Sequence, residues 1–74
     1  MKTEQVGITS AQIKLEQFLK FAGVCASGGE AKVRILAQEV KVNGEVCTMR
    51  GRKIRPGDRV AMDDREWVAV AAEK

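Results

Sequence analysis

The chain has no histidine, no tyrosine and only three other aromatic residues. Without an imidazole, no side chain titrates near neutral pH at its ordinary pKa. Neither cysteine has a histidine partner that could activate it, and the glycines match no phosphate loop ending in Gly-Lys-Ser or Gly-Lys-Thr. The adjacent Asp63 and Asp64 are typical of a solvated turn. We therefore expect a protein that is not an enzyme, with no catalytic residue and no cofactor.

Cysteine is also scarce, since Cys25 and Cys47 are the only two. A structural zinc site takes about four cysteine or histidine ligands, so we expect no metal. Two small reduced thiols at buried or half-buried positions are the simplest expectation. No apolar run approaches the roughly 20 residues that span a bilayer, and the N-terminus lacks the apolar segment of a signal peptide. The expectation is a cytoplasmic protein with no membrane partner.

With 74 residues, 45% of them hydrophobic, the chain has the size of a single domain over residues 1–74 with a small core. The first helix is predicted over residues 11–22, with Thr9 or Ser10 as its N-cap and Gly23 as its end. Its apolar stripe consists of Leu15, Phe18, Leu19 and Ala22.

The second helix has a specific start signal, because Ser27 and Glu30 form a capping box. It is predicted to run to about Gln38. Its expected apolar stripe consists of Val33, Leu36 and Ala37, followed by Val40. Gly28 and Gly29 in its first turn cost helix stability. Two explanations stay open: a ligand approaches the backbone closely, or the glycines make a tight connection.

The remaining segments read as short strands separated by turns. Residues 1–8 are expected to be extended, and Asn43-Gly44 is a strong hairpin signal between residues 40–42 and 45–47. Residues 48–53 are predicted as loop, Ile54 as an apolar anchor and Pro56-Gly57 as a second turn. A last strand pair is expected at residues 59–62 and 67–70. The fold class is therefore α+β, two short packed helices against a small, mostly antiparallel sheet.

Positive charge is distributed unevenly. The net charge is +3, residues 63–74 carry −2, and the other 62 residues therefore carry +5. Within residues 50–59, five cations oppose the single Asp58. Crowded like charges repel each other, and phosphates relieve that repulsion while releasing counterions. This loop therefore predicts a polyanion-binding surface, with an ordinary basic loop as the alternative.

Other cations fall on the helices and the first hairpin. Glu16 precedes Lys20 by four residues and Glu30 precedes Arg34 by four, which predicts two helical ion pairs. No such partner is expected for Lys14, Lys32 and Lys41, and these three are predicted to converge where the second helix meets the first hairpin.

The few aromatic residues limit the kind of nucleic acid. Phe18 and Trp67 are expected in the core, and Phe21 is expected to be partly exposed. No aromatic platform remains for stacking single-stranded bases. The sequence therefore favours structured or double-helical RNA, recognised by shape and phosphate position.

Four motifs, in order across residues 13–62, resemble the S-four domain, an RNA-binding family also called the alpha-L RNA-binding motif. They are Lys14-Leu15-Glu16, Ser27-Gly28-Gly29-Glu30-Ala31, Val40-Lys41-Val42-Asn43-Gly44 and Arg55-Pro56-Gly57-Asp58. Lys14 and Glu16 stand where the family has Arg and Asp, and Gly28 replaces an arginine that commonly contacts RNA. The variant at the second helix resembles small, free-standing bacterial members, the YbcJ-like proteins.

The resemblance implies anchoring on folded RNA through backbone and phosphate contacts, without catalysis. It places the RNA face at the starts of both helices, at the first hairpin and in the loop that follows. Together with the charge pattern, the expected RNA contacts are Lys14, Ser27, Gly28, Gly29, Lys32, Arg34, Lys41, Asn43, Arg50, Arg52, Lys53 and Arg55.

The function expected from the sequence is a monomeric RNA-binding module for ribosomal or transfer RNA, with ribosomal particles as further partners. Two alternatives remain open. One is an adaptor whose basic loop meets an acidic protein. The other is a helix-turn-helix on double-stranded DNA, for which the second helix offers few base-reading side chains.

Overall fold

The structure of the chain, a computed structural model, describes residues 2–72. Two residues of the acidic C-terminal segment, Glu73 and Lys74, lie outside this range. The described helices are α1 (Leu15–Phe21) and α2 (Gly28–Leu36). The described strands are β1 (Lys2–Ile8), β2 (Ile13–Lys14), β3 (Lys41–Val42), β4 (Glu45–Val46), β5 (Lys53–Ile54), β6 (Arg59–Met62) and β7 (Arg65–Ala71).

Five strands form one sheet in the order β1-β7-β6-β3-β4, and β2 pairs with β5 in a separate two-residue ladder. All of these pairs are antiparallel except β1 with β7, which is parallel in the register Lys2 with Arg65 to Ile8 with Ala71. The fold is therefore α+β with a mostly antiparallel sheet, as the sequence predicted.

The core lies between the helices and one face of the five-stranded sheet. Trp67 and Ala69 of β7 are buried, while their neighbours Val68 and Val70 are only half-buried on the other face. This alternation is the two-residue period of a sheet covered on one side. The fully buried side chains of this core include Leu15, Phe18, Leu19, Ile35, Val40, Val42, Ile54 and Val60.

The first helix starts later than its sequence pattern predicted. α1 begins at Leu15, with Lys14 as the N-cap residue and no side-chain cap, so the prediction of a start at residue 11 under Thr9 or Ser10 is wrong. The reason is a non-local pairing, because residues 13 and 14 form β2 against β5. The predicted C-terminal glycine is confirmed, since Gly23 follows α1 with a φ of 78°.

The second helix presents a different face from the one predicted. Its buried residues are Ala31 and Ile35, whereas Val33 is 65% exposed and Leu36 56% exposed. Apolar residues lie on several sides of this helix, so their spacing did not determine which side faces the core. The helix ends at Leu36, two residues before the predicted end, and Gln38 follows with a positive φ of 65°.

The predicted turns are present. Asn43 and Gly44 have φ values of 53° and 88°, the pair of positive values that a type I′ hairpin requires. Asp63 and Asp64 form the corresponding turn between β6 and β7, with φ values of 55° and 63°. The predicted loop over residues 48–53 is wrong at its last residue, because Lys53 belongs to β5.

Side chains fasten β1 to its neighbour. The Nε1–H of Trp67 donates to Oε1 of Glu4 at 3.2 Å, and the Arg65 guanidinium lies 4.9 Å from the Trp67 ring centroid. Thr3 donates to Glu66 at 2.9 Å. These side-chain contacts supplement the backbone hydrogen bonds between β1 and β7, which lie at opposite ends of the sequence.

Cys25 and Cys47 are both buried and unbonded to each other, as expected. Burial, and secondarily the nearby charge of Glu30, raises the pKa of the Cys25 thiol against the opposing effect of Arg34. Within residues 2–72 no helix has the length and apolar character needed to cross a membrane.

Candidate nucleic-acid interface

Ion pairing divides the cations of the described chain into two groups. Arg34 pairs with Glu39 at 2.7 Å and with Asp63 at 3.2 Å. The other two pairs are Arg59 with Glu66 at 3.2 Å and Arg65 with Glu4 at 3.4 Å. Across residues 3–72, whose side chains the structure describes, these four contacts are the ion pairs, and each uses one of three arginines.

Most of the predicted RNA contacts belong to the other group. In the same described range they have exposed side chains and no carboxylate within ion-pair distance. They are Lys14, Lys32, Lys41, Arg50, Arg52, Lys53 and Arg55.

Two of these cations face each other across a strand pair. In the β2–β5 ladder, Ile13 is opposite Ile54 and Lys14 is opposite Lys53. The isoleucines fix the register, because Ile54 is fully buried and Ile13 half-buried, and both lysines are left exposed. Directly opposed like charges destabilise a sheet. An anion bound between the two ammonium groups would remove that repulsion.

Backbone hydrogen bonds bring two further cations to the same place. The amide of Leu15 donates to the carbonyl of Arg52 at 2.8 Å, and the amide of Glu16 donates to the carbonyl of Arg50 at 3.2 Å. These amides belong to the first turn of α1, which has no intrahelical acceptor for them. The loop therefore caps α1 with its own backbone. We call Lys14, Arg50, Arg52 and Lys53 the basic cluster.

The N-terminus of α2 has the predicted cap. Oγ of Ser27 accepts from the amide of Glu30 at 3.3 Å, and Oε1 of Glu30 accepts from the amide of Ala26 at 2.9 Å. Glu30 is thus used in the cap, so its predicted ion pair with Arg34 is wrong. The predicted pair of Glu16 with Lys20 is also absent from the ion pairs of residues 2–72.

The two glycines of this turn are not required by the protein's own packing. Neither has a positive φ, a Cβ at Gly28 would meet nothing within 4 Å, and one at Gly29 would lie 3.8 Å from Oγ of Ser27. Alanine would fit at either position. Nothing within the described chain therefore supports the tight-connection explanation, whereas glycines leave the backbone open to a ligand. Lys32 lies one turn further along α2 with an exposed side chain.

Lys41 lies in acidic surroundings. It alternates with the buried Val40 and Val42, so its side chain lies on the sheet face away from the helices. There it lines a depression of about 260 Å³ together with Glu39, Ala61, Met62, Asp63 and Asp64. Three carboxylates share the surroundings of Lys41, which makes it a weaker phosphate ligand than Lys14 or Lys32, and the convergence of Lys14, Lys32 and Lys41 stays a prediction.

Arg34 lies at the same end of the molecule, which we call the acidic end after Glu39, Asp63 and Asp64. Its hydrogen bond to Glu39, followed by the charges of Asp63 and Glu39, raises the pKa of the guanidinium above its ordinary value. Two nearby carboxylates offset the positive charge of Arg34, so it attracts a phosphate less than the unpaired cations do.

Asn43 is also engaged within the protein. Its Oδ1 accepts from the amide of Arg59 at 3.0 Å, and its Nδ2 donates to Oδ1 of Asp58 at 3.2 Å. The other carboxylate oxygen of Asp58 accepts from the amide of Arg55 at 2.9 Å. Asp58 was not among the predicted site residues. Its position after Pro-Gly, where Asp accepts from a nearby backbone amide, was the available signal.

A family model for the S4 domain matches residues 6–70 of the chain. The chain is also 45% identical over 58 residues to a Bacillus subtilis (strain 168) protein named "Probable ribosome maturation protein RlbA". The match covers 78% of this chain and 82% of the relative. The resemblance that the motifs indicated is thus confirmed at the level of the family.

Proposed function

The chain belongs to the S4 domain family, and on that premise we propose that it is an RNA-binding module rather than an enzyme. In this proposal it acts as a cytoplasmic monomer and holds structured RNA through phosphate contacts. The observation that carries the proposal is the basic cluster. Four cations from two separate segments meet at the start of α1 with no carboxylate partner in the described chain, and Lys14 stands directly opposite Lys53.

The start of α2 supplies the second part of the proposed interface. Gly28 and Gly29 leave their amides accessible, Ser27 shapes the turn, and Lys32 adds a charge. A helix N-terminus favours a phosphate through its free amides and its dipole. The two parts lie at the starts of two different helices, α1 and α2. An RNA backbone would therefore contact both at different phosphates.

The aromatic side chains support structured RNA as the ligand class. Phe18 and Trp67 are buried, and in the described chain only Phe21 exposes an aromatic ring, with 62% of its surface accessible. One ring does not form the stacking surface with which proteins hold successive unpaired bases. We therefore propose that the phosphate positions of a folded RNA are recognised, with little reading of base edges.

Ribosomal RNA is the preferred target in this proposal, ahead of transfer RNA. The argument rests on the relative with 45% identity, whose name assigns it to ribosome maturation. We propose that this chain binds ribosomal particles or their precursors and takes part in the same process.

The test is crosslinking of the tagged protein to RNA in its own cells, followed by sequencing of the attached RNA. We expect enrichment of one helical region of ribosomal RNA, and loss of that enrichment in Lys14→Ala/Lys53→Ala. The matched control is Lys20→Ala/Lys41→Ala, which also lowers the net charge from +3 to +1. It should keep the enrichment.

Crosslinks in proportion to RNA abundance, unchanged in both double variants, would refute the proposal. Equal binding of the purified protein to an acidic peptide and to the enriched RNA would support the adaptor alternative. A preference for duplex DNA over that RNA would support the helix-turn-helix alternative.

A further inference from the structure

We propose that Asn43 and Asp58 are positioning residues that hold the basic loop, residues 45–57, in the shape that binds RNA. The proposal rests on the function proposed above for what the loop binds. Its structural part, the control of loop order, stands on hydrogen bonds within the chain. It also gives Asn43 a different role from the direct RNA contact that the family resemblance implies.

The base of the basic loop is closed by a compact set of bonds. The backbone amide of Asn43 donates to the carbonyl of Arg59 at 2.7 Å, and the side-chain Oδ1 accepts from the amide of Arg59 at 3.0 Å. Nδ2 of Asn43 donates to the Asp58 carboxylate at 3.2 Å. These bonds join Asn43 to Asp58, 15 positions later in the sequence, and to Arg59, 16 positions later.

Asp58 connects this closure to the turn that follows β5. Its Oδ2 accepts from the amide of Arg55 at 2.9 Å, and its own amide donates to the carbonyl of Arg55 at 2.9 Å. Its carbonyl accepts from the amide of Ala69 at 2.9 Å, which fixes the turn to β7. The Asp58 carboxylate therefore links the hairpin turn to the Pro-Gly turn, and the Asp58 backbone carbonyl ties both to the body of the sheet.

The hairpin turn and the Pro-Gly turn enclose all four cations of residues 50–55, which are Arg50, Arg52, Lys53 and Arg55. At its far end the loop is held by backbone contacts to Leu15 and Glu16, which depend little on side-chain identity. Within the loop, β4 pairs with β3, the amide of Cys47 donates to the carbonyl of Val40 at 3.0 Å, and Ile54 is fully buried. Asn43 and Asp58 add an anchor at its base through their side chains. A loop that loses this anchor has more conformations, and ordering it on RNA would cost affinity.

The side-chain amide of Asn43 has few free hydrogen-bonding sites left for RNA. Oδ1 and Nδ2 each already have a partner within the chain, and Nδ2 retains one further N–H. Asn43 also has a φ of 53°, a value that asparagine and glycine tolerate well. Glycine at this position would keep the turn and remove only the side-chain bonds.

The first experiment measures loop order in the RNA-free protein by amide hydrogen exchange. In Asn43→Gly we expect the amides of Leu15 and Arg52 to exchange about tenfold faster, because two hydrogen bonds at the loop base are lost. The amide of Ala37, in the last turn of α2, should keep its rate. The matched control is Gln38→Gly, which places glycine at another positive φ, of 65°, where the side chain has no hydrogen bond in the described chain.

The second experiment exchanges the two side chains. Asn43→Asp brings a second carboxylate beside Asp58 and should weaken RNA binding, as should Asn43→Gly, each by about tenfold. The double variant Asn43→Asp/Asp58→Asn restores one carboxylate and one amide in reversed order. The oxygens at both positions can still accept from the amides of Arg59 and Arg55, and the bond between the two side chains runs in the opposite direction, with the amide now at position 58 as donor. We expect it to recover wild-type affinity to within about threefold.

The two experiments separate the possible failures. Unchanged exchange at Leu15 and Arg52 in Asn43→Gly would overturn the positioning role, whatever the RNA result. If exchange accelerates but the double variant binds RNA as weakly as Asn43→Asp, Asn43 is a direct RNA contact and the assignment is wrong. If the wild-type protein binds no ribosomal RNA, the proposed function fails, and the exchange data alone decide whether these residues order the loop.

Discussion

The acidic end of the molecule and the basic cluster use the same residue types in opposite ways. At the acidic end and along β1 and β7, each of three arginines has at least one carboxylate within 3.4 Å. In the basic cluster, four cations share a small area and none has such a partner in the described chain. Paired cations support the fold, whereas unpaired ones keep their charge available to a polyanion.

This difference predicts two separable sets of effects. Changes at the acidic end and along β1 and β7 should lower stability and leave the RNA affinity of the folded protein unchanged. Changes in the basic cluster should lower affinity without lowering stability. A variant of the first region that weakens RNA binding, or a variant of the basic cluster that lowers stability, would contradict this comparison.

The largest effect is expected for Trp67→Ala. Trp67 is 1% exposed and contacts both Glu4 and Arg65, so its removal leaves a large cavity under β7. Such a truncation costs about 3–5 kcal/mol, close to the whole stability of a domain this small. Urea unfolding followed by circular dichroism should show little folded protein at 25 °C. Trp67→Phe is the control and should still unfold cooperatively; a Trp67→Ala midpoint equal to that of wild type would contradict this packing.

The next effect is on affinity alone, in Lys14→Glu/Lys53→Glu. The two like charges remain opposite each other, so the repulsion across β2 and β5, and with it the free energy of unfolding, should stay nearly constant. RNA binding, measured by fluorescence anisotropy, should weaken by about 100-fold, because two phosphate-facing charges change sign.

The single variant Lys14→Glu sharpens that result. It places opposite charges across the ladder and should stabilise the fold by about 0.2–1 kcal/mol while still weakening RNA binding. A variant in which stability and affinity fall together would show that the cluster is part of the structural framework.

Local signals in the sequence were sufficient for some of these features. Asn43-Gly44 and Pro56-Gly57 determine their turns through φ values that few other residues adopt, and the Ser27 cap acts within four residues. Such features are predictable because their causes lie within a few positions. The two helices and most of the antiparallel sheet followed from them.

Non-local pairings were not predictable from spacing. Lys14 was predicted at the start of the first helix, because nothing nearby shows that residues 13 and 14 pair with 53 and 54. Arg34 had Glu30 at the favourable helical spacing, but its partners are Glu39, beyond the end of α2, and Asp63, 29 residues away. The face of α2 was ambiguous for the same reason, since its apolar residues surround the helix and only tertiary packing selects Ala31 and Ile35.

A smaller effect should appear at the start of α2, where stability and affinity move in opposite directions. Gly28→Ala/Gly29→Ala fills open space and should stabilise the helix by about 0.5–1 kcal/mol per site. RNA affinity should fall several-fold if phosphates approach these amides. Thermal unfolding and anisotropy titration measure the two changes. Gly51→Ala, with nothing within 4 Å of its added Cβ but outside any helix, is the control for the stability change alone. Equal or tighter RNA binding would remove this turn from the interface.

The finest comparison lies within one helix, between Lys32 and Arg34. Both are cations on α2, two positions apart, but only Arg34 has carboxylate partners. Lys32→Gln should weaken RNA binding a few-fold and reduce the salt dependence of the binding constant by about one phosphate. Arg34→Gln should leave affinity and salt dependence unchanged and lower the urea midpoint slightly. Because the two variants remove the same charge from the same helix, equal losses of affinity would mean that RNA senses only net charge, and that ion pairing does not decide which cations bind it.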